Sequence, residues 1–225
     1  KKFESDLYSK FHYCQLVSFV DASYLHKLNN KINIITFPIG ITSKNNTLSK
    51  MENFMPFILI VGRLAGGNLD YVENFILKIW LKFHSIFPLY QLVLVSRIIP
   101  PNFDKKYSNV NVVIKTGIDD NELGLMYKNS LFVISPVRKS SGMLNKIIEA
   151  MSYGKLVVGY DLCFKCLIGS ESGCHYISVV DDEEMFLQLN KVIENKYHIL
   201  KMGQSAKNYV NRMYLWDNIM NDYKS

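Results

Sequence analysis

Between Phe57 and Val180, short apolar runs alternate with stretches of helical period, and this alternation limits the fold more than any other feature. The runs are 57–61 (FILIV), 92–95 (LVLV), 110–114 (VNVVI), 131–134 (LFVI), 156–159 and 176–180. Each is short and without charge, as a strand covered on both faces must be. Between them, 68–87 carries apolar residues at Leu69, Val72, Phe75, Ile76, Ile79, Trp80 and Phe83, the spacing of one helix face. Helices are also expected at 119–128, capped by Asp119 or Asp120, and at 143–153, ended by Gly154. Further helices are expected at 181–194, 196–213 and around 216–223. Six strands separated by helices specify an α/β domain: a Rossmann-like, doubly wound parallel sheet. In that architecture, ligands bind beyond the carboxyl ends of the strands.

The first 41 residues read differently. A helix is expected at 2–12, a strand at 14–20, a helix at 21–29 capped by Asp21, and a strand at 32–36. This piece is too short for a domain and reads as the end of a preceding one. A polar linker follows at 42–56. The expected organisation is therefore a leader at 1–41, the linker, a Rossmann-like domain at 57–213 and a C-terminal helix at 214–225. Position 1 is not Met, which suggests a trimmed tag, a processed start or a fragment.

Composition excludes several classes. The chain has 225 residues, 48% of them hydrophobic and 20% charged, so a core is available and neither disorder nor a collagen repeat fits. No apolar run approaches the ~18 residues a membrane helix needs, and residues 1–10 carry charges where a secretory signal would be apolar. A net charge of +6 fits anionic partners such as nucleotides, nucleic acid or an acidic membrane, and it equally fits a Lys- and Asn-rich composition bias. Of the four cysteines, only Cys163 and Cys166 form a C-x-x-C, with no second pair at metal spacing, so reduced thiols are expected. The five histidines show no ligand spacing, and Trp80 and Trp216 read as core or docking residues.

Two loops carry the chemistry. The first is 135–154, SPVRKSSGMLNKIIEAMSYG: a strand end, a small and basic loop, then a helix expected to start near Gly142. Free N–H groups of a first helical turn and the helix dipole form an anion site. Ser140 and Ser141 are candidate caps, Gly142 permits close approach of a phosphate, and Arg138, Lys139 and Lys146 add positive charge. Glu149 lies almost two turns beyond Gly142, on the same face, where a carboxylate can accept hydrogen bonds from a ribose diol. An ordinary capped helix with a solvated Glu explains the same residues. The second loop is 61–68, VGRLAGGN, in which Gly62 ends a strand and Arg63 stands at its carboxyl edge, placed to grip a diphosphate. The glycines do not form G-x-G-x-x-G, so no dinucleotide fingerprint is present. A flexible turn with a surface Arg is the plain alternative.

In order along the chain, VGRL, GGN, QLVLVSR, the Gly117 turn, SPV and GMLNKIIEAMSYGKLVV resemble the retaining GT-B glycosyltransferases of the large bacterial polysaccharide and glycoconjugate family, group 1. The resemblance is to their C-terminal, nucleotide-sugar-binding half; it runs from about Ile32 to Trp216 and is most specific over 142–158. CQLVSFVDASYLHKL and INIITFPIGI are similar to the end of that family's N-terminal domain and the crossover. The resemblance implies transfer of a sugar from a nucleoside diphosphate to a glycan or lipid-linked acceptor, with retention and without a bound metal or other cofactor. Carried over by position, Gly62 and Arg63 would meet the diphosphate, and Lys115 to Ile118, with Gly117, would flank the base. Glu149 would hold the ribose, and the backbone of Ser141, Gly142, Met143 and Leu144 would meet phosphate or sugar. Arg138 and Lys146 would supply further charge; no catalytic residue is assigned. The chain departs from the family at Ser141, where many relatives carry Glu, at Gly67 for a common Lys, and at Leu144 for Lys or Arg. Without an acceptor domain the chain is expected to bind donor and to need a further domain or partner subunit for transfer. A cytoplasmic location is expected, with peripheral contact at the inner face of the membrane, and no nucleic-acid partner. The alternatives are a degenerate domain that binds nucleotide sugar or a partner subunit without transfer, and a basic domain docking on anionic lipid or nucleic acid.

Overall fold

The structure is a computed structural model that describes residues 6–43, 55–139 and 143–224, the last three without their side chains. Its centre is a six-stranded, wholly parallel sheet built from β3 (Phe57–Val61), β4 (Gln91–Val95), β5 (Val112–Lys115), β6 (Val133–Ser135), β7 (Val157–Tyr160) and β8 (Ile177–Val179). The order is β5-β4-β3-β6-β7-β8, so the chain winds outward from β3 to one edge and then from β6 to the other. The reversal between β3 and β6 opens a crevice at the carboxyl ends of these two strands. Ile58, Leu59, Val157 and Val158 are completely buried, as the near-continuous apolar runs require.

The expected helix at 68–87 is one helical rod in three parts: α2 (Gly67–Phe75), a π-helical turn (Ile76–Trp80) and α3 (Leu81–Ile86). The wider turn shifts the apolar stripe by about one residue. It brings Trp80, fully buried, to where its Nε1 donates to the Val110 carbonyl at 2.7 Å and its ring stacks on Phe83. Trp80 is thus a core residue. A short helix, α4 (Phe103–Tyr107), was not anticipated from the sequence. Then come α5 (Asp120–Asn129), held by a complete Asp119–Glu122 capping box, and α6 (Asn145–Ser152). α7 (Asp182–Glu194), capped by Asp181, α8 (Lys196–Tyr214) and α9 (Trp216–Lys224) finish the chain.

The leader forms a two-stranded parallel sheet, β1 (Cys14–Leu16) with β2 (Ile34–Thr36), joined by α1 (Phe19–Leu28). The expected strand at 14–20 is shorter because Ser18, not Asp21, caps α1: its hydroxyl accepts the Asp21 N–H at 3.2 Å. Ile41 ties the leader to the large sheet's helices, donating to Tyr214 O at 2.7 Å and accepting from Trp216 N at 3.1 Å. Gly40 lies flat against the Trp216 indole, leaving no room there for a Cβ. Most of the expected linker, 44–54, is outside the described residues.

Candidate functional site

A cavity of about 840 Å³ opens at the carboxyl ends of β3, β4 and β6, the reversal point of the sheet. Gly62, Arg63, Gly117, Met143, Leu144 and Lys146 of the sequence-derived set line it. Gly62 extends the pairing of β3, donating to Val95 O at 3.0 Å, and so delivers Arg63 to the rim. Gly117 takes a positive φ of 66° between β5 and α5, a conformation glycine adopts without strain. Lys115 ends β5 exposed, its carbonyl accepting from Ser96 N at 3.1 Å, and is not among the lining residues.

The third wall is the first turn of α6. The helix starts at Asn145, later than the expected Gly142, because Leu144 is extended (φ −89°, ψ 93°) and serves as N-cap with no side-chain cap bond. The expected caps Ser140 and Ser141, and Gly142, lie outside the described residues. The orphan N–H groups of this turn and the positive end of the helix dipole still meet the cavity through Leu144, Asn145 and Lys146. Glu149 stands one turn further on, outside the lining. Its Oε2 takes Lys146 Nζ at 2.7 Å and the Tyr127 hydroxyl at 3.4 Å. Burial, and secondarily the Glu149 charge, push the Tyr127 phenol well above its ordinary value, so it remains a donor to that carboxylate.

Arg138 is not brought to the cavity. Its guanidinium lies 4.2 Å over the Tyr160 ring, donates to the Tyr160 hydroxyl at 2.7 Å and pairs with Asp182. Several cavity residues escaped the sequence reading: Asn68, Ser96, Arg97, Ile98 and Asp120. Ser96 is 4% exposed and knits two loops together, accepting from Leu64 N at 3.0 Å and donating to Ile98 O at 2.6 Å. Arg97 follows it directly at the carboxyl end of β4. QLVLVSR carries a partial signal, since residues just past a parallel strand face the crevice when that strand flanks the reversal point. Arg63, Arg97 and Lys146 against Asp120 leave the cavity net positive, suited to an anion.

Elsewhere, the cysteines of the C-x-x-C are engaged separately. Cys163 Sγ donates to Val137 O at 3.2 Å, and Cys166 Sγ lies 3.3 Å from the Ser18 hydroxyl. Among the described residues no helix is long and apolar enough to cross a membrane.

The family model described as "Glycosyl transferases group 1" matches residues 55–195. No curated protein sequence matches. Among solved structures, TarM of S. aureus, in complex with Fondaparinux, alpha-GlcNAc-glycerol and UDP, is similar at a TM-score of 0.81 and 14% identity, over 99% of this chain and 45% of its own. The pneumococcal O-GlcNAc transferase GtfA, in complex with UDP and GlcNAc, is similar at 0.77 and 13% identity, over 99% of this chain and 46% of its own. The C-terminal domain of the group 1 protein LpcC from Francisella tularensis is covered over 100% of its length by 79% of this chain, at 0.58 and 16% identity. At such identities the likeness is one of fold: the parallel six-stranded α/β sheet matches that of GT-B glycosyltransferases. The chain spans less than half the length of the first two.

Proposed function

The chain belongs to the group 1 glycosyltransferases, and we propose that it is the donor-binding, C-terminal half of such an enzyme. It holds a nucleoside-diphosphate sugar for transfer to a glycan or lipid-linked acceptor, with retention of configuration and without a bound metal. The observation that carries this reading is the cavity at the sheet's reversal point, with Arg63, Arg97 and the first turn of α6 converging on it. The UDP held by TarM and GtfA supports a nucleoside diphosphate as the ligand class, and the match to the whole LpcC C-terminal domain supports the placement.

In this reading, the base lies against Gly117 and Ile118 with Ile98 and Leu123 as apolar floor, and the ribose diol meets Glu149. The diphosphate faces Arg63, Lys146 and the N–H groups of α6. As the glycosidic bond breaks, negative charge grows on the departing diphosphate. Positive groups and helix N–H dipoles fixed in advance stabilise that charge more than they stabilise the ground state. The acceptor half is supplied by a preceding domain or partner subunit docking on the leader, where Phe11, Tyr13, Phe19 and Tyr24 are exposed. The enzyme works in the cytoplasm, peripherally at the inner membrane face where the acceptor is lipid-linked.

A second reading, a domain that binds nucleotide sugar without transferring it, is favoured by Gly67 and Ser141, where many relatives carry Lys and Glu. Calorimetric titration with UDP, GDP, ADP and CDP tests the first premise of both. Saturable binding of one nucleotide, weakened in Arg63→Ala, supports a donor site; no binding by any of the four contradicts it.

A further inference from the structure

Arg138 was expected to add charge beside the donor, and the structure gives it a different set of contacts. It lies one residue after Val137 and two after Pro136, both of which wall the cavity. Its guanidinium stacks on the Tyr160 ring at 4.2 Å, donates to the Tyr160 hydroxyl at 2.7 Å and forms an ion pair with Asp182, the first residue of α7. Asp182 Oδ1 also accepts from the Tyr160 hydroxyl at 2.5 Å, and Lys78 Nζ approaches its other oxygen at 3.7 Å. The preceding residue is held as well, its carbonyl accepting from the Cys163 thiol at 3.2 Å. Two consecutive residues at the exit of β6 are thus fastened to the end of the neighbouring strand β7, to the turn that follows it and to α7. A guanidinium engaged by a carboxylate, a hydroxyl and a ring face loses all three if it swings to another anion, and leaves a partly buried carboxylate short of its main partner.

We propose that Arg138 is a positioning residue: its ion pair with Asp182 and its stacking on Tyr160 fix the Pro136–Val137 wall of the donor cavity, and the guanidinium does not itself grip the diphosphate. This rests on the donor-site reading above. It makes Asp182, an acid outside the cavity lining, a residue that favours binding of an anion.

The two roles give opposite signs for one substitution. If Arg138 positions the wall, Asp182→Asn weakens binding of the preferred nucleoside diphosphate by about tenfold, the scale of a one-to-two kcal/mol coupling. Arg138→Ala then weakens it by a similar factor, the double variant is no worse than either single one, and Arg138→Lys recovers part of the loss. If Arg138 grips the diphosphate, Asp182→Asn releases it and binding tightens or stays unchanged while Arg138→Ala weakens it; that result overturns the proposal. A second measurement needs no nucleotide: amide hydrogen exchange of the unliganded protein. Exchange at Val137, Arg138 and Met143 is expected to rise about tenfold in Asp182→Asn, while β3 and β4 keep their protection and exclude global unfolding. Unchanged exchange at these amides overturns the proposal. Failure of the wild-type chain to bind any nucleotide counts instead against the donor-site reading, and the exchange result still decides the positioning role.

Discussion

Lys146 Nζ and Glu149 Oε2 stand 2.7 Å apart on successive turns of α6, and the pair couples the cavity wall to a carboxylate just behind it. Lys146 lines the cavity and is half exposed, whereas Glu149 is mostly covered and also takes the buried Tyr127 hydroxyl. The lysine therefore orients the carboxylate as well as adding charge.

Glu149→Ala is expected to weaken nucleoside diphosphate binding by ~1–3 kcal/mol, the cost of a lost charged hydrogen bond to the ribose. The matching deoxyribonucleotide should lose affinity with wild type but little more with the variant. Titration calorimetry of the four combinations checks this; equal discrimination by both proteins removes Glu149 from the ribose.

Arg63→Ala and Arg97→Ala are each expected to weaken binding by ~1–3 kcal/mol. Both arginines are exposed at the rim, so wild-type affinity should also fall as salt rises from 50 to 500 mM, and fall less steeply in the variants. An affinity independent of salt contradicts a site built on these charges.

Gly203→Ala tests the packing that holds α6 in place. A Cβ at Gly203, midway along α8, would run into the Gly154 carbonyl just past the end of α6. Gly154 has a positive φ of 71° and cannot readily turn away. Overpacking of this kind costs ~1–3 kcal/mol, read as a lower denaturation midpoint with an unchanged m-value.

Alkaline pH should unfold the protein by a specific route. Burial pushes the Tyr160 phenol up to about 12 and raises those of Tyr127, Tyr209 and Tyr214 as well. In the unfolded chain these phenols ionise near 10. The contribution of Tyr160 is therefore complete below pH 10 and is lost as pH rises through about 12, and those of the other three decline in the same direction above pH 10. Denaturant midpoints measured from pH 8 to 12 should be flat at first and then fall, and tyrosinate absorbance should rise together with unfolding. Full ionisation of all 14 tyrosines near pH 10 in the folded protein would contradict this.

The sheet was legible because burial on both faces demands unbroken apolar runs; β3 coincides residue for residue with FILIV. Capping was legible at Asp119, one of the two candidates for α5, but not at α1, where Ser18 rather than Asp21 accepts the bond. It misled at α6, where the N-cap is Leu144 and no side chain reports the start. The π turn at Ile76–Trp80 displaces the apolar stripe by only about one residue, within the width of one helix face, and the five residues of α4 are too few to show a period. At the site, Arg63 and Gly117 stood in loops, and Lys146 near the start of an expected helix, that read as ligand-facing. Arg97 needed the knowledge that β4 neighbours β3, and the partner of Arg138 lies 44 residues away on α7, beyond any local pattern.

The most direct test is hydrogen exchange with and without a saturating nucleoside diphosphate. Protection is expected at Gly62 to Leu64, at Gly117 and Ile118 and at Met143 to Ile147, the three segments that meet at the carboxyl ends of β3, β5 and β6. Protection confined to the leader or to the β8 edge, or binding that leaves these three segments unchanged, would contradict a donor site in this cavity.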